Sequence, residues 1–199
     1  TKTLSDAIEA EGFTVERGMS TGAETAFVAT WGHGKPVIGI LGEMDALPGL
    51  SQHACENKID PIEAGAPGHG CGHNALGTGA AAAAVAVKEY MEKNGIEGTV
   101  KFFGCPAEEA GGGKIFMIRA GVFKDVDIAI TWHPGFTNAV LGSGLLAMQA
   151  VYFRFKGKAA HAAGSPHLGR SALDACEIMN VGVNYLREHV IQEARIHYA

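Results

Sequence analysis

Apolar and polar positions along the chain alternate between strand-like and helix-like spacing. Residues 36–47 open with an almost wholly apolar run, which suits a strand buried on both faces. Residues 74–94 predict a long helix that ends at the C-cap signal Asn94-Gly95. The same pattern predicts strands over 23–31, 36–47, 98–106 and 126–134, and helices over 1–12, 74–94 and 114–120.

Strands and helices that alternate in this order are typical of a parallel sheet with helices packed on both of its faces. The hydrophobic pattern changes near residue 145. Residues 145–161 alternate like a half-exposed strand, and residues 169–189 predict a helix. The predicted fold class is therefore α/β. A parallel-sheet core occupies residues 1–143, and the first part of a smaller α+β domain occupies residues 144–199.

Composition and charge exclude several classes of partner. The 199 residues are 47% hydrophobic and 19% charged, as in a globular protein with a real core, and the formal net charge is −5. With this net charge the chain has no excess of basic residues to bind nucleic acid or an anionic membrane. No apolar run is long enough to span a bilayer. We expect a cytoplasmic protein with no signal peptide.

Four cysteines at irregular spacing, Cys55, Cys71, Cys105 and Cys176, do not resemble a disulfide framework. We expect a reducing compartment, with most of these side chains acting as small buried hydrophobic groups.

The stretch GHGCGHNALG, residues 68–77, allows two interpretations. Its glycines suggest a nucleotide-binding loop, but the dinucleotide spacing and the Gly-Lys-Ser/Thr ending are both absent. Its cysteine and histidine suggest a metal. We favour the second interpretation, in which the glycines let the backbone turn so that Cys71 and His73 point at a common centre.

Several predicted strands end on residues that suit metal binding or acid–base chemistry. Ligands in open α/β sheets bind beyond the carboxyl ends of the strands, so these side chains are expected at one edge. The residues are Glu43 and Asp45, Glu108 and Glu109, and His133. With Cys71 and His73 they offer the nitrogen, oxygen and sulfur ligands that a transition metal accepts.

The adjacent acids Glu108 and Glu109 can take two different roles. One carboxylate can bind a metal while the other accepts a proton from an attacking water. A solvated acidic loop is the ordinary alternative. A metal-free enzyme is a further alternative, with Cys71 as nucleophile and His73 or His69 as base.

The ordered motifs resemble the M20 metallopeptidase and amidohydrolase family, especially its amidohydrolase branch. The similarity covers nearly the whole chain. The motifs are GEMDALPG (42–49), GHGCGHN (68–74), GTVKFFGCPAEE (98–109), TWHP (131–134) and FKGKAAHAAGSPHLGRSALDA (155–175).

The resemblance implies a metallohydrolase core that binds manganese or zinc, with two ions in the full-length enzyme. Its substrate would be a small-molecule amide: an N-acyl amino acid, a dipeptide or an aminobenzoyl-glutamate type compound. By position, Cys71, His73, Glu109 and His133 resemble the metal ligands. Glu108 resembles the general base, and Asp45 resembles the acid that orients a ligand.

His161 resembles the histidine of the lid domain that reaches the active site of the partner subunit and polarises the scissile carbonyl. The resemblance therefore also implies a homodimer or a heterodimer of related subunits. Residues 1–143 would be an incomplete metal-binding catalytic domain, and residues 144–199 the first part of a lid and dimerisation domain.

Two departures from the family pattern matter. Glu43 stands where the family commonly has histidine. The amidohydrolase branch usually has an acid at this position, so we do not count Glu43 as a first-choice ligand. Members of the family are also longer, so we expect a fragment of a longer enzyme, with a last metal ligand beyond Ala199. The alternative function is a non-catalytic dimerisation or scaffold module.

Overall fold

The computed structural model describes residues 1–142 and 144–199, which form two compact units, Thr1–Asn138 and Ala139–Ala199. No helix in these described ranges is long and apolar enough to cross a membrane. The helices are α1 (Lys2–Ala10), α2 (His73–Asn94), α3 (Glu108–Gly111), α4 (Gly113–Arg119) and α5 (Ala172–Leu186), with 3-10 turns at Pro166–Leu168 and Arg187–His189. The strands are β1 (Thr14–Arg17), β2 (Phe27–His33), β3 (Val37–Glu43), β4 (Gly98–Cys105) and β5 (Ile128–Ile130).

One five-stranded sheet of order β1-β2-β4-β3-β5 organises the first unit. The pairs β3–β4 and β3–β5 are parallel, whereas β2 pairs antiparallel with both β1 and β4. Four of the five strands therefore point the same way and only β2 runs against them. The predicted α/β class is confirmed, with β1 and the reversed direction of β2 as features that the pattern does not predict.

Hydrophobic cores lie on both faces of the sheet, as the apolar run at β3 predicts. Two adjacent side chains of β4 lie on opposite faces of the sheet: Phe102 packs into one core and Phe103 into the other. The first core contains Ile8 of α1 and Ala80 of α2, whereas the second contains Met117 of α4. Helices consequently cover both faces and fix the carboxyl ends of β3 and β4.

Glycines let α2 start and pack against the end of β3. Gly72 precedes the helix with φ +82°, a left-handed conformation that glycine adopts without strain. One turn further, a Cβ atom on Gly77 would lie 2.7 Å from the carbonyl oxygen of Glu43. This close approach brings His73, the first residue of α2, to the acidic end of β3.

The last strand of the sheet differs from its prediction. The apolar pattern predicts a buried strand over residues 126–134, but only Ile128–Ile130 pair, and Ile128 and Ile130 are about half exposed. The reason is their position, because β5 is an edge strand that pairs only with β3 among the described residues.

The second unit contains α5 but no regular strand in its described residues. The alternating segment 145–161 forms only an isolated bridge between Lys158 and Arg170. Alternation suits a strand, but a strand also needs a neighbour for its hydrogen bonds, and this segment finds one only at that bridge. The α5 helix begins at Ala172, three residues after its predicted start, because the Ser171 hydroxyl caps it by accepting a hydrogen bond from the Asp174 backbone N–H at 3.0 Å.

All four cysteines are free, as their spacing predicts. The expectation that most are buried is wrong, because only Cys105 is buried and Cys55 is exposed. Burial raises the pKa of the Cys105 thiol to about 12, so this side chain serves packing.

We predict opposite effects for two glycine-to-alanine substitutions in helices. Alanine favours a helix by about 1 kcal/mol over glycine. Gly182→Ala should therefore stabilise α5, since a Cβ atom there meets nothing within 4 Å. Gly77→Ala should instead lower the free energy of unfolding by about 1–3 kcal/mol, because its Cβ would collide with β3. Urea denaturation checks both, and a stabilised Gly77→Ala variant would contradict the close approach.

Candidate metal centre

The carboxyl ends of the parallel strands deliver their side chains to one edge of the sheet, as expected. Glu43 ends β3, and Asp45 follows it. After β4 the chain turns sharply at Ala107, which has φ +55°, so that Glu108 and Glu109 open α3. His133 follows β5 and is held near α2, because the Trp132 indole N–H donates to the Leu76 carbonyl at 3.2 Å.

His73 is the buried centre of this cluster, with 1% of its surface exposed. Its Nδ1 lies 3.1 Å from both the backbone carbonyl and the Oδ1 of Asp45. Both of these oxygens are acceptors, so Nδ1 is the ring nitrogen that carries the proton. In the neutral ring Nε2 therefore holds a free lone pair, the form in which histidine binds metals.

The Nε2 atom of His73 faces three carboxylates and makes no hydrogen bond. It lies 3.1 Å from Glu43 Oε2, 3.8 Å from Glu108 Oε2 and 4.0 Å from Glu109 Oε1. Glu109 Oε1 is likewise buried and without a hydrogen-bond partner. Unpartnered buried polar atoms are costly, and positive charge between this lone pair and the carboxylates would stabilise them. A divalent cation fits this arrangement.

Cys71 and His133 extend the donor set around His73. The Cys71 Sγ lies 3.3 Å from the His133 Nε2. His133 Nδ1 donates to the Pro134 carbonyl at 2.9 Å, so Nε2 is the unprotonated nitrogen and its lone pair faces the Cys71 sulfur. One ligand atom from each of Cys71, His73 and His133 lies within 4.8 Å of the others, and the same is true of Glu43, His73 and Glu108.

Asp45 joins two of the predicted ligands. Its Oδ1 is near the His73 ring, and its Oδ2 accepts a hydrogen bond from the Glu109 backbone N–H at 2.9 Å. This one carboxylate therefore fixes the His73 ring and the start of α3 relative to each other. Such outer partners set the tautomer and the direction of a metal-binding imidazole.

Glu109 controls the protonation of the neighbouring thiol. As a hydrogen-bond acceptor for Cys71, its carboxylate raises the pKa of the thiol, and burial and the charges of Glu108 and Glu43 act in the same direction. A nucleophilic cysteine needs a lowered pKa, so this environment opposes the metal-free alternative for Cys71. A bound cation reverses the effect, because a coordinating thiol is deprotonated.

Two residues of the centre matter more than the sequence patterns indicate. Glu43, which is not a first-choice ligand by resemblance, has one oxygen nearest to His73 Nε2 of the three carboxylates. Its other oxygen pairs with the ammonium of Lys114, a residue of α4. The only sequence signal for Lys114 is its place at the start of a predicted short helix after three glycines, which does not identify a partner.

His161, the seventh predicted site residue, belongs to the second unit. Its Nδ1 accepts hydrogen bonds from the backbone N–H groups of Ala163 and Gly164, at 3.2 and 2.9 Å. The proton of the neutral ring is therefore on Nε2, which is free to donate.

Known proteins resemble this chain over most of its length. A family model for peptidase family M20/M25/M40 matches residues 39–191. One p-aminobenzoyl-glutamate hydrolase subunit of Escherichia coli is 55% identical over 98% of this chain and 40% of its own length. The Xaa-Arg dipeptidase of Mus musculus is 34% identical over 88% of this chain and 39% of its own length. The chain thus spans about 40% of the length of these curated relatives.

A solved structure supports the fold. The Bacillus subtilis YXEP protein, a dinuclear metal binding peptidase from the M20 family, superposes with a TM-score of 0.50 at 24% identity. The match covers 65% of this chain and 35% of that protein.

We predict that Glu109→Gln makes the Cys71 thiol more acidic. The substitution removes the carboxylate that raises the pKa, so more thiolate is present at a given pH. The measurement is the pH profile of iodoacetamide labelling of the Cys71 peptide by mass spectrometry, with a chelator present. The midpoint should move to lower pH in Glu109→Gln and stay unchanged in the control Glu16→Gln. A midpoint that rises in Glu109→Gln would contradict the assigned cause.

Proposed function

The chain belongs to peptidase family M20/M25/M40, and on that premise we propose that it carries the metal centre of an amide hydrolase. The observation that carries the proposal is the pair of buried, unpartnered atoms His73 Nε2 and Glu109 Oε1, which lie 4.0 Å apart. Cys71, His73, Glu109 and His133 would hold the metal, manganese or zinc, with two ions in the complete enzyme. When bound, such an ion acts as a Lewis acid that polarises a carbonyl and makes water more acidic.

Glu108 is the proposed general base. Its side chain is 43% exposed, against 12% for Glu43, 17% for Asp45 and 21% for Glu109, so it is the carboxylate most open to water and substrate. It takes a proton from the attacking water as the water oxygen bonds to the amide carbon. It then returns the proton to the nitrogen as the carbon–nitrogen bond breaks, giving a carboxylic acid and an amine.

The roles of the neighbouring residues follow from their contacts. Asp45 keeps the His73 ring in the tautomer whose Nε2 faces the centre. In the same position it holds the start of α3, so Glu108 and Glu109 point to the side of His73 that lacks a hydrogen bond. Asp45 therefore orients the site without taking part in proton transfer.

The proposed substrate is an N-acyl amino acid, a dipeptide or an aminobenzoyl-glutamate type compound. The two curated relatives are named for p-aminobenzoyl-glutamate and for Xaa-Arg dipeptides. Both compounds have an amide whose nitrogen belongs to an amino acid with a free carboxylate. This shared half defines the class of substrate that we propose.

The proposed partner is a second copy of the chain or a related subunit. A relative that is 55% identical is itself named as a subunit. His161, with its free Nε2–H, is the proposed donor to the scissile carbonyl in the partner's active site. The proposed compartment is the cytoplasm, because the four free cysteines suit a reducing environment.

The direct test is hydrolysis of p-aminobenzoyl-glutamate and of an Xaa-Arg dipeptide with Mn²⁺ or Zn²⁺ present. We expect activity that a chelator abolishes. Glu108→Gln should lower kcat by about 10²–10⁴-fold, because the proton acceptor is lost, while metal content stays unchanged.

Glu56→Gln, in the exposed loop before the GHGCGHN motif, is the matched control and should leave kcat unchanged. An active Glu108→Gln enzyme would overturn the role of Glu108. A folded oligomer that binds no metal and hydrolyses neither compound would favour the scaffold function instead.

A further inference from the structure

One lysine enters the acidic cluster. Glu43, Asp45, Glu108 and Glu109 gather four carboxylates around His73, and among the described residues Lys114 is the only lysine or arginine that forms an ion pair with any of them. Lys114 reaches this position from the first turn of α4, and its side chain is 26% exposed. The ion pair with Glu43 is therefore largely withdrawn from solvent, where screening is weak.

The ion pair divides the two oxygens of Glu43. Oε1 is engaged by Lys114, while Oε2 lies 3.1 Å from His73 Nε2. A carboxylate paired with an ammonium in this way is a poorer ligand, because a cation that approaches it meets the positive charge of the lysine. Lys114 thus opposes cation binding at the group formed by Glu43, His73 and Glu108.

His73 belongs to both donor groups but offers only one lone pair. Its Nδ1 is committed to Asp45, so Nε2 alone can bind a cation. A cation drawn towards Glu43 and Glu108 would share His73 with oxygen ligands. A cation drawn towards Cys71 and His133 would share it with sulfur and nitrogen ligands.

Resting on the metal centre proposed above, we propose that Lys114 sets the metal preference of the site by withholding Glu43 from the ligand set. With Lys114 in place, the proposed ligands are Cys71, His73, Glu109 and His133, so three of the four donors are sulfur or nitrogen, which suit Zn²⁺. Without Lys114, Glu43 becomes an additional oxygen ligand, and oxygen ligands suit Mn²⁺. Lys114 is thus a positioning residue that acts through Glu43.

The test measures dissociation constants for Mn²⁺ and Zn²⁺ in the whole chain. Free Mn²⁺ is followed by electron paramagnetic resonance, and Zn²⁺ by competition with a chromophoric chelator. In Lys114→Met we expect the preference for Mn²⁺ over Zn²⁺ to rise about tenfold, the size of effect known for groups that contact metal ligands. The ratio of the two constants is the readout, because removing a positive charge strengthens the binding of both ions alike.

Three variants separate Lys114 from other causes. Lys114→Arg keeps the ion pair and should keep the original ratio. Glu43→Gln should leave the ratio unchanged in the presence of Lys114, and it should cancel the gain when combined with Lys114→Met. Lys93→Met, an exposed lysine at the end of α2, controls for net charge and should have no effect on the ratio.

The outcomes separate a failure of the metal centre from a failure of the role assigned to Lys114. If the unaltered chain binds neither ion, the metal centre itself is wrong and this inference falls with it. If the unaltered chain binds Zn²⁺ but Lys114→Met leaves the ratio unchanged, only the role of Lys114 is overturned. A loss of Zn²⁺ binding in Glu43→Gln, with the fold intact by circular dichroism, would also overturn it, since Glu43 would then already be a ligand.

Discussion

The arrangement of the site depends on one buried imidazole. His73 donates from Nδ1 to Asp45. Because the ring proton is on Nδ1, the Nε2 lone pair is left facing carboxylates without a hydrogen bond. Neither a neutral packing role nor a solvated acidic loop accounts for that arrangement, because both would leave the buried lone pair and the buried Glu109 oxygen uncompensated. Positive charge at this point would compensate both atoms, and the thiol of Cys71 and the imidazole of His133 lie close enough to be candidate ligands of the same cation.

The topology of the fold places the His73 lone pair and the carboxylates together. The strands β3, β4 and β5 end at one edge, so acids that are far apart in sequence meet there. The helix α2 can bring His73 to the same edge only because Gly77 lets its backbone approach that of Glu43. The glycines of the GHGCGHNALG stretch therefore serve the placement of the donor atoms, as the metal interpretation of that stretch requires. Hydrophobic cores pack against both faces of the sheet that carries these strand ends.

Sequence reasoning predicts those parts of the structure that follow from simple rules. The carboxyl ends of parallel strands share an edge, so the meeting of Asp45, Glu109 and His133 can be expected from the order of strands alone. The ion pair between Glu43 and Lys114 cannot, because it depends on how α4 packs on the sheet. The short polar strand β1 lacks a strong apolar pattern, and residues 145–161 have the pattern of a strand without a neighbour that pairs along it. Periodicity reports which face of an element is apolar, but pairing and side-chain partners are decided by tertiary contacts.

The chain belongs to peptidase family M20/M25/M40, and its donor cluster around His73 is compatible with the metal centre proposed for it. The most direct test of a metal centre at this site is the metal content of the protein purified without chelator, measured by elemental analysis. The unaltered chain and the control Cys55→Ala, which changes an exposed cysteine outside the centre, should retain bound zinc or manganese, whereas Cys71→Ala should lose most of it. Equal metal content in all three proteins, or none in any of them, would contradict a metal centre built around His73 and Cys71.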